Sequence, residues 1–219
     1  MEKEKTTTSQ RTPVYAFDLD GTLTTHDTLL QFIRFCHPRW KFVLGMLACL
    51  PRIVLMKCRL YSPDKAKEQM CRTFFRGWDR ERLARYSHAF AEERGASLLR
   101  PEGIRTLRRL VAEGQQVYIV SASLDIWLRD LCRCILPEPS PHFTVVCTEA
   151  AFRHDEATGR DICTGDFATP NCNRSEKVRR LAPFLAPREN YFLTAYGDSR
   201  GDYELYRYAD QYVHRPFRS

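Results

Sequence analysis

The spacing of hydrophobic residues divides the chain into a helical block and a region in which strands and helices alternate. A short apolar run at residues 14–17 ends at Asp18 and predicts a buried strand followed by a loop. Over residues 29–99 the hydrophobic positions recur at helical spacing, as at Met70 and Phe74, and no convincing strand pattern interrupts them. The sequence therefore predicts that this block is helical throughout.

Beyond residue 100, helical spacing alternates with short β-favouring runs. The predicted elements, in chain order, are a helix from residue 101, a strand at 117–120, a helix at 125–136, a strand at 143–147, a hairpin within 148–164, a helix at 175–185, a strand at 191–196 and a helix at 202–209. Strands that alternate with helices favour a parallel sheet with both faces covered. The predicted fold class is α/β, with a doubly wound parallel sheet and an inserted helical block.

Polar side chains cluster where the predicted strands end, which is where doubly wound sheets bind ligands. These positions are Asp18, Asp20, Ser121, Ser123, Asp198 and Asp202. An aspartate can attack phosphorus and form an acyl phosphate that water later removes. A neighbouring carboxylate can transfer protons. Lys177, at the start of a predicted helix, can neutralise charge on a transferring phosphoryl group, so the set as a whole predicts phosphoryl transfer.

A bound Mg²⁺ is predicted from the same carboxylates. The ion takes oxygen ligands, and it offsets the repulsion between a phosphate dianion and several aspartates. Asp198 and Asp202 supply the further acids that such a site needs. A calcium loop of the EF-hand type is excluded, because Gly21 and Leu29 occupy its fourth and twelfth positions, whereas that loop needs Gly at its sixth and Glu at its twelfth.

Four segments in this order resemble the motifs of the haloacid dehalogenase superfamily. They are AFDLDGTLT at residues 16–24, IVSAS at 119–123, Lys177, and GDSRGD at 197–202. The resemblance spans nearly the whole chain and is specific in combination. The context from Cys172 to Lys177 and the last loop look most like subfamily IB, which includes phosphoserine phosphatase and a bacterial phosphatidylglycerophosphatase.

The resemblance implies a domain organisation for the chain. Residues 13–28 and 100–219 would form the Rossmannoid catalytic core, and residues 29–99 would be a helical cap that closes over the site and chooses the substrate. Residues 1–12 are polar, lack the apolar core of a signal peptide, and are predicted to be a disordered tail.

The resemblance also implies a role for each motif residue. Asp18 would be the nucleophile, and Asp20 would be the general acid that protonates the leaving oxygen and then the base that activates water. The Mg²⁺ ligands would be Asp18, Asp20 through its main-chain carbonyl, and Asp198, with Asp202 holding the metal shell or its water. The residues that would bind the transferred phosphoryl group are Ser121, Ala122 and Lys177.

The predicted activity is Mg²⁺-dependent hydrolysis of a phosphomonoester through an aspartyl phosphate, on a small phosphorylated metabolite or a phospholipid headgroup. Phosphoserine phosphatases have a Gly-rich segment after the serine of the second motif and an Asn-Asp pair in the fourth motif. Here the corresponding residues read SASL at 121–124 and RGD at 200–202, which places phosphoserine in doubt as the substrate.

The segment at residues 42–56 leaves two interpretations open, because its fifteen residues carry a single charge, Arg52, and contain Pro51. In the first, two cap helices pack against each other around Pro51, since the segment is shorter than the ~20 apolar residues of a membrane span. In the second, it is an interfacial or re-entrant anchor and the protein is a phosphatidylglycerophosphate-type lipid phosphatase at the membrane surface. The second interpretation rests on the surrounding basic residues, Arg34, Arg39, Lys41, Arg52, Lys57 and Arg59.

Charge and cysteine content bear on the remaining functional classes and on the cellular compartment. A net charge of +7 suits an anionic partner and keeps a basic nucleic-acid-binding module as an alternative of another class, yet no nucleic-acid-binding motif is found and no such partner is predicted. A pseudoenzyme is disfavoured because all motif positions are intact. The odd number of cysteines, nine, indicates a reduced compartment, so we expect a cytoplasmic protein, peripheral at the inner membrane surface under the second interpretation. The six His residues, including His26, are expected to be structural or at the surface.

Overall fold

A computed structural model describes residues 11–218 of the chain. The strands over this range are β1 (Thr12–Phe17), β2 (Gln116–Leu124), β3 (Phe143–Thr148), β4 (Ala150–Asp155), β5 (Arg160–Phe167), β6 (Tyr191–Gly197) and β7 (Gln211–His214). The α-helices are α1 (Thr28–Cys36), α2 (Arg39–Lys57), α3 (Pro63–Phe75), α4 (Arg80–Leu98), α5 (Pro101–Ala112), α6 (Asp125–Ile135), α7 (Ser175–Leu181) and α8 (Tyr203–Tyr208). Short 3₁₀ turns lie at Ala182–Leu185, Arg188–Asn190 and Arg200–Asp202.

The central sheet has five parallel strands in the order β3-β2-β1-β6-β7. The chain leaves β1 to form β2 and β3 on one side and later returns to form β6 and β7 on the other. The order therefore reverses at β1, and a crevice is expected beside the carboxyl end of that strand. The predicted α/β class with a parallel, doubly wound sheet is confirmed.

Both faces of the sheet are covered by helices. On one face, Leu107 of α5 and Leu131 of α6 pack with Ile119 of β2 in a single apolar cluster. On the other face, Leu181 of α7 and Leu205 of α8 belong to a second cluster. The central strands β1, β2 and β6 contain long apolar runs because helices cover them from both sides, whereas the edge strand β7 is largely exposed.

The helices α1 to α4 surround a third apolar cluster that includes the β4–β5 hairpin. Phe32 lies at its centre, with its ring 5.4 Å from that of Phe75, 5.3 Å from that of Phe90 and 5.1 Å from that of Trp127. Residues 29–99 are helical with short connections, as predicted, and the predicted hairpin is present. The division of the chain into core and cap remains a prediction.

Several predicted boundaries differ from the structure. The interpretation of two buried helices meeting at Pro51 is wrong, because α2 runs through Pro51 without a break and buries only Cys49 fully. The predicted tail extends one strand residue too far, since Thr12 begins β1, and residues 1–10 of that tail lie outside the described part of the chain. The predicted helix at 175–185 ends as α7 at Leu181 and continues as a 3₁₀ turn around Pro183, which has no N–H for a helical hydrogen bond.

Candidate active site

A cavity of about 480 Å³ opens at the carboxyl ends of the central strands. This is the position expected from the reversal of strand order at β1. The neighbouring parallel strands β1 and β6 end side by side there, and the loops that follow them leave a crevice. The backbone N–H of Asp18, the first residue after β1, donates to the carbonyl of Tyr196 in β6 at 2.8 Å and so fixes the start of the loop. The cavity lining includes five of the predicted site residues, Asp18, Asp20, Ala122, Lys177 and Asp198.

Lys177 forms the charged centre of the site. Its ammonium lies 2.5 Å from Asp18 Oδ1 and 2.6 Å from Asp202 Oδ1, and all three side chains are buried. Burial raises the pKa of Asp18 to about 7, against the opposing charge of Lys177. Burial would lower the pKa of Lys177, but the two carboxylates outweigh it and raise that pKa above its ordinary value. The pKa of Asp202 is pushed up by burial and held below its ordinary value by Lys177, so Lys177 and Asp202 remain a charged pair.

Asp20 is held by a chain of hydrogen bonds that runs into the helical block. Its Oδ1 accepts from the backbone N–H of Thr28 at 2.7 Å, and its Oδ2 accepts from the hydroxyl of Ser123 at 2.5 Å. The hydroxyls of Thr28 and Ser123 lie 2.9 Å apart, and the indole N–H of Trp127 donates to that of Thr28 at 2.9 Å. A carboxylate fixed in this way is well placed for proton transfer, because no entropy has to be lost in orienting it during the reaction.

The carboxylates of the site fit a hard divalent cation. One oxygen each from Asp18, Asp198 and Asp202 lies within 4.8 Å of the others. Oxygen donors in this number suit Mg²⁺. Gly21 makes room for them, since its φ is +81° and a Cβ added there would lie 2.4 Å from Asp198 Oδ2. Burial and the charge of Asp202 raise the pKa of Asp198 despite the guanidinium of Arg218, so the cluster carries negative charge that a cation would offset.

The structure brings together most of the predicted ligand set. Asp18 and Asp198 lie in the cluster. Asp202, predicted to support the metal shell, also reaches the cluster while binding Lys177 and accepting from the backbone N–H of Ser199 at 3.0 Å. The carboxylate of Asp20 points to Ser123 and Thr28 instead, which leaves its main-chain carbonyl as the predicted ligand atom.

The second motif occupies an irregular part of β2. The pairing with β3 shifts between Ser121 and Leu124, so the ladder skips the residues between them. Ala122 lines the cavity, and its carbonyl accepts from Lys67 Nζ at 2.6 Å. Ser121 is 1% exposed, does not line the cavity, and its Oγ accepts from the backbone N–H of Ser123 at 3.0 Å. The phosphate-binding role of Ser121 remains a prediction.

The cavity also contains residues that the sequence motifs did not single out. The lining includes Thr25, His26, Lys67, Arg100, Asn173 and Arg218. His26, expected to be structural or at the surface, is therefore a wall residue. Arg218 donates to Asp198 Oδ2 at 2.7 Å, and Arg100 donates to the carbonyl of Thr24 at 3.1 Å. No spacing in the sequence distinguishes Lys67 from the exposed Lys65, because only the packing of α3 decides which of them faces the cavity.

Comparison with known proteins gives concordant matches. The sequence profile of the haloacid dehalogenase-like hydrolases matches residues 15–207. Protein CicA of Caulobacter vibrioides is 32% identical over 204 residues, which cover 93% of this chain and 86% of that protein. A solved protein of unknown function from Bordetella pertussis Tohama I shares the fold at a TM-score of 0.74 and 18% identity, covering 94% of this chain and 90% of the other. A phosphoserine phosphatase solved as an analogue of its phospho-aspartyl intermediate has a TM-score of 0.64 at 13% identity, covering 94% and 87%.

Proposed function

The chain belongs to the haloacid dehalogenase-like hydrolases, and from this premise we propose that it is a Mg²⁺-dependent phosphatase with Asp18 as the nucleophile. The observation that carries the proposal is the buried triad in which Lys177 joins Asp18 to Asp202, beside Asp198. A buried nucleophile, a fixed cation and further carboxylates are the parts that phosphoryl transfer needs. A phosphoserine phosphatase of the same fold, characterised as a phospho-aspartyl intermediate analogue, supports the same chemistry here.

The first half of the reaction transfers the phosphoryl group to the enzyme. A carboxylate oxygen of Asp18 attacks phosphorus, and the bond from phosphorus to the alcohol oxygen breaks. Asp20 gives its proton to that oxygen, so the product leaves as a neutral alcohol. The hydrogen bonds from Ser123 and Thr28 keep the Asp20 carboxyl in place for this transfer.

The second half removes the phosphoryl group with water. Asp20, now ionised, takes a proton from a water molecule as that water attacks phosphorus. The bond between phosphorus and the Asp18 oxygen breaks, inorganic phosphate leaves, and the Asp18 carboxylate is restored. Throughout both halves, the ammonium of Lys177 stabilises negative charge on the transferring group from a fixed, buried position.

Mg²⁺ would be held by the carboxylates of Asp18 and Asp198 and by the main-chain carbonyl of Asp20, with Asp202 in support. When bound, the ion supplies positive charge that lets a phosphate dianion approach several aspartates. The carboxylate cluster and the close approach of Gly21 to Asp198 support this assignment.

The substrate class follows from the rest of the lining. Lys67, Arg100 and Arg218 bring positive charge to the cavity beside the motif residues, and among residues 11–218 no large aliphatic side chain lines the wall. Such a wall suits a small phosphomonoester whose leaving group is polar or carries further negative charge, and the headgroup of a phospholipid meets this description too.

The test is phosphate release from p-nitrophenyl phosphate and from phosphoserine, with Mg²⁺ and with a chelator. We expect release that requires Mg²⁺ and is abolished by Asp18→Asn. Asp155→Asn, the same change at a half-buried position at the end of β4 in the hairpin, serves as the matched control and should keep full activity. Activity retained by a separately purified Asp18→Asn protein would show that the nucleophile is assigned wrongly.

A further inference from the structure

Helix α2 presents an apolar face that nothing in residues 11–218 covers. Of the twelve large apolar side chains that are exposed in this range, eight lie between residues 40 and 60. Trp40, Leu47 and Val54 are 60%, 57% and 49% exposed and follow one another at a spacing of seven, so they lie on one face of the helix. We call these residues, together with Val43, Leu44 and Leu50, the apolar stripe of α2.

The opposite face of α2 fixes the helix to the protein. Phe42, Met46 and Ile53 pack against the apolar cluster of the helical block. A Cβ added at Gly45 would lie 2.4 Å from the ring of Phe74, so α2 and α3 approach closely at this point. The stripe is therefore not needed for the contact between α2 and α3, and a folded protein displays it to its surroundings.

The charged residues along the segment that carries the stripe all have one sign. From Thr28 to Pro63 the chain has no Asp or Glu. It has six exposed basic residues, Arg34, Arg39, Lys41, Arg52, Lys57 and Arg59. A surface of this kind attracts an anionic partner and repels a second copy of itself, because two copies of α2 would bring like charges together without any acid between them.

Two properties of the partner follow. The partner must bury apolar side chains along roughly 20 Å of helix, more than the single wedges that nucleic acids accept between bases, and it must carry negative charge at the rim of the apolar region. No helix within the described range is long and apolar enough to cross a membrane, so α2 would not span one. We propose that α2 lies flat on an anionic lipid surface, with the apolar stripe among the acyl chains and the basic residues at the headgroups.

The position of α2 connects this surface to the cavity. Helix α3 begins at Pro63, shortly after α2, and four residues later Lys67 reaches the cavity wall at Ala122. From Leu60, an exposed leucine just beyond the end of α2, to Lys67, the chain spans at most roughly 20 Å. A phosphomonoester carried by the lipid surface would thus be close to the cavity. This consequence rests on the proposed function, whereas the docking of α2 does not.

Trp40 gives a direct optical test. The other two tryptophans, Trp78 and Trp127, are 8% and 0% exposed, so a change of emission on binding reports Trp40. We expect the emission to shift to shorter wavelength with vesicles of phosphatidylcholine and phosphatidylglycerol, and not with phosphatidylcholine alone. The shift should be absent from Trp40→Phe, although that protein should still co-sediment with the anionic vesicles. An unchanged emission together with no co-sedimentation would overturn the proposal.

Two charge-matched variants test the stripe itself. Leu47→Glu should bind anionic vesicles at least about tenfold more weakly, because it loses a buried leucine and adds a repelled charge. Phe184→Glu, the same change of charge at a side chain that is 48% exposed elsewhere, should bind within about twofold of the native protein. Equal binding by the two variants would refute the stripe as the contact. So would a native dimer in light scattering that Leu47→Glu dissociates, since the stripe would then join two copies.

Hydrolysis of p-nitrophenyl phosphate by the same proteins separates this proposal from the proposed function. Leu47→Glu should keep the native rate on this dissolved ester, which shows that it is folded. Loss of vesicle binding with a native rate supports the docking of α2. A chain that binds vesicles through Leu47 but hydrolyses no phosphomonoester would uphold the docking and refute the phosphatase.

Discussion

The ammonium of Lys177 lies 2.5 Å from the carboxylate of Asp18, although 159 residues separate them in the sequence. The contact exists because Asp18 directly follows β1 at the carboxyl edge of the sheet, and Lys177 lies near the start of α7 at the same edge. Both side chains are almost fully buried, so their mutual attraction is weakly screened. The electrostatics of the site thus depend on this pair.

Removing the cation should damage both stability and catalysis. Lys177→Met leaves Asp18 and Asp202 buried without a counter-charge, which we expect to cost about 3–5 kcal/mol of unfolding free energy. The rate should fall at least about 100-fold, because a fixed charge on the transferring group is lost. Urea denaturation and kcat measure the two effects. Loss of stability with a native kcat would remove Lys177 from the mechanism.

Lys67 should behave differently, because it reaches the cavity from α3 and, within the described part of the chain, donates a hydrogen bond to the carbonyl of Ala122 and none to a carboxylate. We expect Lys67→Met to raise KM for an anionic phosphomonoester by roughly tenfold, with kcat and the melting temperature little changed. Lys65→Met, on the exposed side of the same helix turn, is the matched control and should leave KM native. If both variants have native KM, Lys67 does not contact the substrate.

The raised pKa of Asp18 predicts how stability depends on pH in the absence of metal. Burial raises this pKa from 3.8 to about 7, so between those values the native state keeps a proton that the unfolded chain releases. Because the unfolded chain has lost this proton and the native state still holds it, the free energy of unfolding falls as pH rises through the window. Above the window, Asp18 is ionised in both states and has no further effect. Asp18→Asn cannot ionise, so its stability relative to the native protein should rise by on the order of 4 kcal/mol across the window.

Urea denaturation of both proteins in a chelator, near the two ends of that pH window, measures this difference. The comparison reports Asp18 together with its coupled neighbour Asp202, because the remaining carboxylates titrate in both proteins. A stability difference that does not change with pH would mean that Asp18 is ionised in the native protein throughout.

Gly21 should control the metal site through the space that it leaves for Asp198. Gly21→Ala places a Cβ 2.4 Å from Asp198 Oδ2 and also strains a φ of +81°, so we expect Mg²⁺ to stop raising the melting temperature. Gly114→Ala separates the two effects, since Gly114 has a φ of +75° with nothing within 4 Å of the added Cβ. That variant should lose about 1 kcal/mol of stability and keep the Mg²⁺ response. If both variants lose the Mg²⁺ response equally, the cause is backbone strain at positive φ and not the clash between the added Cβ and Asp198.

The sequence predicted the parallel sheet apart from its edge strand β7, for a physical reason. Apolar runs such as residues 117–120 are continuous because both of their faces are buried, and their short length and their β-branched and aromatic residues identify them as strands. Aspartates that follow parallel strands meet at one edge of the sheet, which is why the sequence alone predicts that Asp18 and Asp198 lie close together. Local chemistry also sets helix starts, as at Asp79, whose carboxylate accepts from the backbone N–H of Arg82 at 2.6 Å and caps α4.

Features that depend on tertiary packing could not be predicted. The unbroken course of α2 through Pro51 is decided by its contact with α3 and not by local propensity, which disfavours proline inside a helix. Lys67 and Arg100 reach the cavity because of the way α3 and the start of α5 are oriented. The spacing of residues in the sequence does not indicate that orientation. The edge strand β7 has four residues, too few for a periodic signal.

The most direct test of the account is to detect phosphate on Asp18 itself. The protein is mixed with Mg²⁺ and p-nitrophenyl phosphate, quenched in acid within the first turnover, and weighed intact by mass spectrometry beside Asp18→Asn. The account predicts a species heavier by one phosphoryl group, mapped to the peptide that contains Asp18 and absent from the variant. Turnover without such a species in quenches across the first turnover, or the same species on Asp18→Asn, would contradict covalent catalysis by Asp18.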